Sequence, residues 1–120
     1  MKPIIKHMAS LEVDDLETWQ PGGDFWVVVQ VAIGPGDARG EDLFEIIVCS
    51  PSGLAAKLQG RDPMSGRHML FMERYDYRVM REWLETQVKE ASGDSWEEVA
   101  RKLSRIAGWE FEDYSVVLPD

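Results

Sequence analysis

The chain has 120 residues, with 22 Asp and Glu against 13 Lys and Arg, for a formal net charge of −9. This length suits a single domain over residues 1–120, with roughly two thirds of the unfolded surface buried on folding. The charge argues against binding nucleic acid or an anionic membrane, and the single cysteine excludes an internal disulfide and a Cys-based zinc cage; 44% hydrophobic residues and five tryptophans argue against disorder.

Residues 3–8 read as a short extended segment, with Pro3 suited to an edge or a strand start. Residues 10–24 read as a connector holding Glu12, Asp14, Asp15, Glu17 and Asp24 and no base, closed by the turn signal Pro21-Gly22-Gly23. Phe25 to Ile33 is the strongest predicted strand: β-branched residues dominate, and Phe25, Val27, Val29, Val31 and Ile33 share one face. Residues 42–49 form the next strand. The glycine-rich stretch between the two predicts an antiparallel hairpin with a long tip.

Ser50-Pro51 predicts a helix start, with Leu54, Ala55 and Leu58 as a short apolar stripe and Gly60 as the stop. Arg67 to Arg74 reads as a further strand. Residues 76–91 predict a helix burying Met80, Trp83, Leu84, Val88 and Ala91. Ser95 then caps a second long helix, and Glu98 completes a capping box; Trp96, Val99, Ala100, Leu103, Ile106 and Ala107 line the inner face, and Gly108 ends it. Residues 109–118 predict a last strand whose Trp109 and Phe111 point inward and whose Glu110 and Glu112 point outward. The expected architecture is α+β: an antiparallel sheet with two long helices packed on one face.

Catalytic patterns are weak. His7 and His68 are the only histidines and lack any metal-binding spacing. Cys49 with His68 and a carboxylate would form a nucleophilic set, yet Cys49 ends an apolar strand, where a thiol packs as a small hydrophobe. No G-x-S-x-G elbow surrounds Ser50 or Ser52. Gly34-Pro35-Gly36 is a poor phosphate cradle, because Pro35 lacks an amide donor and a strand follows. Glu110, Glu112 and Asp113 could do acid–base work by count alone, but on an outward face they hold no substrate. No cofactor is expected. The longest wholly apolar run, Phe25 to Val29, is five residues, against the ~20 of a membrane span. The default is a cytoplasmic protein with reduced thiols.

Charge is unevenly placed. Acids without bases fill residues 10–24 and 109–120, whereas Arg67, Arg74, Arg78 and Arg81 gather around the Arg67–Arg74 strand and the helix after it. An acidic patch of this kind steers a basic partner. The candidates for meeting it are Asp14, Asp15 and Glu17 in the connector, Asp37, Glu41 and Asp42 at the hairpin tip, and Glu110 and Glu112 near the end.

Five pieces of the sequence resemble one family. They are Phe44 to Pro51, Gly66-Arg67-His68, Tyr75-Asp76-Tyr77, Trp96 to Ala100 with Lys102 to Ile106, and Trp109 to Tyr114. Their order and spacing, from Ile4 to Tyr114, resemble the immunity protein 8 family of bacterial polymorphic-toxin systems. The resemblance implies an α+β fold, no enzymatic activity, and neutralisation of a cognate toxin domain made by the same cell. It implies no toxin-contact residues. Recurrent aromatics such as Trp96, Trp109 and Phe111 are first of all expected in the core. The expectation is a monomer or weak homodimer that blocks the toxin's active site; a nuclease with a basic cleft suits the charge. Two rival readings remain: a small enzyme using Cys49 or the C-terminal carboxylates, and a homo-oligomeric accessory protein pairing through edge strands.

Overall fold

A computed structural model describes residues 1–111 of the chain. The expectations for Glu112, Asp113 and the rest of the last strand lie outside these residues. Five strands and three helices follow in the order β1 (Pro3–Ala9), β2 (Trp26–Pro35), β3 (Asp42–Cys49), α1 (Pro51–Leu58), β4 (Met69–Phe71), α2 (Tyr77–Lys89), α3 (Trp96–Leu103) and β5 (Gly108–Trp109).

The first three strands form an antiparallel meander, β1-β2-β3. Its centre is the valine-rich run of β2, where β-branched side chains suit a pleated surface covered on one side. Val27, Val29, Val31 and Ile33 are buried together with Phe44, Ile46 and Val48 of β3. Met80, Leu84 and Val88 of α2, and Val99, Ala100 and Leu103 of α3, join the same core cluster, so both helices cover one face of the sheet. A bulge at Lys6 shifts the register of β1 between Ile5 and His7.

The sheet is mixed rather than purely antiparallel. β4 pairs parallel to β3, with Ile47, Val48 and Cys49 opposite Met69, Leu70 and Phe71. A parallel neighbour requires a crossover, and α1 with the loop after it supplies one. β4 is confined to three residues of the Arg67–Arg74 segment. β5 pairs with the same edge of β3 further along, at Phe44 and Glu45. β5 is two residues long.

Helix starts follow the sequence signals closely. Ser50 Oγ accepts from the Gly53 amide at 2.9 Å and from the Phe25 amide at 3.1 Å, tying the start of α1 to β2. The expected apolar stripe of α1 is not buried: Ala55 and Leu58 are exposed, and Gly53 is the buried residue of the helix. A Cβ on Gly53 would stand 2.0 Å from the Phe25 carbonyl oxygen, so α1 seats on β2 through a bare backbone rather than a side-chain stripe. Asp76 caps α2 by accepting from the Val79 amide at 3.2 Å. Ser95 caps α3 by accepting from the Glu98 amide at 3.2 Å, while the Glu98 carboxylate reaches back to the Asp94 amide at 2.9 Å. This is a capping box displaced by one residue. α3 is shorter than expected, eight residues, and the chain turns after Ser104. That turn still buries Ala107.

Candidate functional site

With α2 and α3 on one face, the other face of the sheet is largely uncovered by the described residues. Strand register places Ile4 and His7 of β1, Trp26, Val28, Gln30 and Ala32 of β2, Leu43, Glu45, Ile47 and Cys49 of β3, and Met69 and Phe71 of β4 on this side. α1 covers one end, where Lys57 Nζ stands 5.3 Å from the centre of the Trp26 ring. The β2–β3 tip curls over the other end: a Cβ on Gly34 would lie 2.0 Å from the Gly40 carbonyl oxygen, and Lys6 Nζ donates to the Ala38 carbonyl at 2.9 Å. Between them the face shows apolar side chains to solvent, with Ile4 45%, Leu43 39% and Phe71 51% exposed.

Three carboxylates mark this stretch. Glu12 Oε1 accepts from the Val28 amide at 2.8 Å, past Ala9, where β1 ends. Glu110 Oε1 accepts from the Leu43 amide at 2.8 Å, and the Glu110 amide donates to the Leu43 carbonyl at 3.1 Å. Glu45 lies between them, opposite Gln30 and exposed, and its carboxylate has no hydrogen bond or ion pair among the described residues. Gln30, Leu43, Phe44, Glu45, Gly108 and Glu110 line a shallow depression of about 260 Å³. Glu45 is the residue that sequence reasoning missed. A single acid in the apolar run Phe44 to Cys49 was the available signal.

The expected acidic candidates lie on three segments: the connector, the β2–β3 tip and the stretch from β5 onward. Asp14, Asp15 and Glu17 are exposed on a connector held in place by buried Leu16 and by Trp19, which packs edge-on against Tyr75 at 4.8 Å. The Asp15 carboxylate accepts from the Glu17 amide at 2.9 Å. Tyr75 fastens the connector by donating its hydroxyl to the Leu16 carbonyl at 2.6 Å; burial, aided by nearby Tyr77, Asp15 and Asp76, pushes its pKa up to about 12. Asp37 and Glu41 are exposed on the tip, and Glu41 pairs with His7 at 3.1 Å. Asp42 is half-buried and accepts from the indole N–H of Trp96 at 2.6 Å and of Trp109 at 3.0 Å. Phe111, expected inside, is 41% exposed and packs edge-on against half-buried Trp109 at 5.9 Å.

Cys49 and His68 are placed for packing and for joining elements. Cys49 is buried and its thiol is pushed up by burial, the reverse of an activated nucleophile. His68 has φ of 59°, and its Nε2 bonds the Ser104 carbonyl at 2.7 Å, joining the entry of β4 to the end of α3. No group of three His, Cys, Asp or Glu able to hold a metal ion occurs among the described residues. No helix among them is long and apolar enough to cross a membrane.

Searches of curated proteins and of solved structures give no significant match. The family model described as Immunity protein 8 matches residues 4–114, nearly the whole chain. With its α+β fold, the chain belongs to the immunity protein 8 family, a membership that implies binding to a cognate toxin.

Proposed function

We propose that this protein is a non-catalytic inhibitor of one toxin domain, acting by tight binding that occludes the toxin's active site. The observation that carries the reading is the family match over residues 4–114. The charge of −9 adds to it, because acidic residues displayed on a rigid scaffold favour a basic partner and speed its encounter. A nuclease, whose cleft must attract phosphate, is the toxin class that best fits this charge. The matched span supports treating residues 1–120 as one immunity-protein domain.

The acids that would meet the toxin are Asp14, Asp15 and Glu17 in the connector, Asp37 and Glu41 at the tip, and Glu110 with Glu112 near the end. Asp42 is the least available of the original set, since its carboxylate already serves two indoles. The test is co-expression with the toxin domain encoded by the neighbouring gene, followed by co-purification. Rescue of growth together with a stable complex is expected. Growth arrest with no complex would refute the reading.

A further inference from the structure

We infer that the uncovered sheet face is the surface that seats the toxin, and that its occupant is a basic surface whose arginine enters the depression at Glu45. This inference rests on the reading of the chain as a toxin inhibitor. The first argument is size. Four strands at ~4.8 Å and a ten-residue β2 at ~3.3 Å per residue outline at most roughly 19 by 33 Å before α1 and the tip take the ends, a patch that flanking segments extend toward the ~800 Å² each partner gives to a stable interface.

The second argument is the composition of that face. Ile4, Leu43, Ile47, Met69 and Phe71 offer apolar area on both sides of Glu45 and Gln30, where a water-facing sheet normally carries polar side chains. The third is charge complementarity. Glu45 stands at the centre with no partner among the described residues. Glu110 flanks it with one carboxylate oxygen committed to Leu43, leaving the other to accept, and the Gln30 amide lies across the strand pair. Three bases at the ends of this side are engaged: Lys6 with the Ala38 carbonyl, His7 with Glu41, and Lys57 over Trp26.

Arginine fits this setting better than lysine. Its planar fork of donors can reach Glu45 and Glu110 together, and its stem can lie along Leu43. Two carboxylates left facing each other across a closed, dry interface would repel, so the occupant must bring the positive charge with it.

The experiment is calorimetric titration of the purified toxin domain encoded by the neighbouring gene into the full-length wild type, Glu45→Lys, Glu45→Gln, Leu43→Lys and, on the exposed outer side of α3, Glu97→Lys. Glu45→Lys and Leu43→Lys are expected to weaken binding at least ~30-fold, as central contacts do, with Glu45→Gln intermediate and Glu97→Lys within ~3-fold of wild type. Unchanged melting temperatures would confirm that these exposed positions leave the fold intact. If all three face variants bind like wild type, the toxin docks elsewhere, and the inference fails while the inhibitor reading stands. If wild type itself does not bind, both fail. If the face variants alter only self-association in sedimentation velocity, the occupant is a second copy and the inference is overturned.

Discussion

Trp96 donates its indole N–H to Asp42 at 2.6 Å across 54 residues of sequence, tying the first turn of α3 to the first residue of β3. The same oxygen of Asp42 accepts from Trp109 of β5 at 3.0 Å. One carboxylate thus gathers a helix, a central strand and a short edge strand at one corner. Asp42→Ala should destabilise the fold by about 1.5–3 kcal/mol, the range for hydrogen bonds to a charged group. Asp42→Asn should cost less, because its amide oxygen can still accept. Urea unfolding would check both, and any loss of toxin protection by these variants should track their loss of stability.

The start of α3 makes a second prediction. Ser95→Ala should cost ~0.5–2 kcal/mol through loss of the N-cap, with no effect on toxin binding. Its partner Glu98 has its pKa lowered from 4.5, chiefly by the hydrogen bond from the Asp94 amide, with Lys102 adding to the effect. A carboxylate with a depressed folded pKa contributes stability above its unfolded value and loses it as pH falls through its folded value. Glu98→Gln should therefore flatten the acid side of the melting-temperature profile below about pH 4.5.

Tyr75 acts in the opposite direction. Its folded pKa, raised from 10.0 to about 12, favours the neutral phenol in the folded state. Its contribution is complete below pH 10.0 and is lost as pH rises toward about 12. Tyr75→Phe should lower stability at neutral pH by removing the bond to the Leu16 carbonyl, and should reduce the extra loss in this alkaline window. Thermal melts across that range would show it.

Cys49→Ser should leave protection intact and cost about 1–3 kcal/mol, the price of a buried hydroxyl without a full set of partners. Iodoacetamide should leave the native thiol unlabelled and label it after denaturation, as mass spectrometry would show. Loss of protection in a folded Cys49→Ser variant would restore the nucleophile reading.

Local and periodic signals were legible in the sequence. The alternation of Val27, Val29 and Val31 and the caps at Ser50 and Ser95 each depend on residues a few positions apart, and each formed as expected. What the sequence hid was set by distant partners. The parallel pairing of β4 depends on how α1 crosses over, and nothing in Met69-Leu70-Phe71 encodes its direction. The aromatic and acidic alternation after Gly108 suggested that Phe111 points inward, but Phe111 stayed exposed beside Trp109. Asp42 read as one more surface acid until two tryptophans from elsewhere in the chain converged on it. Glu45 is a solitary acid in an apolar run, and only the placement of its strand on the open face sets it apart.

The most direct measurement is an inhibition titration: the activity of the cognate toxin domain, followed as this protein is added in fractions of an equivalent. Inhibition by tight, non-catalytic binding predicts a linear fall that reaches its floor at one equivalent and stays proportional to the amount added however long the mixture stands. Inactivation of many toxin molecules by each molecule of this protein, or activity unchanged at an excess, would contradict it.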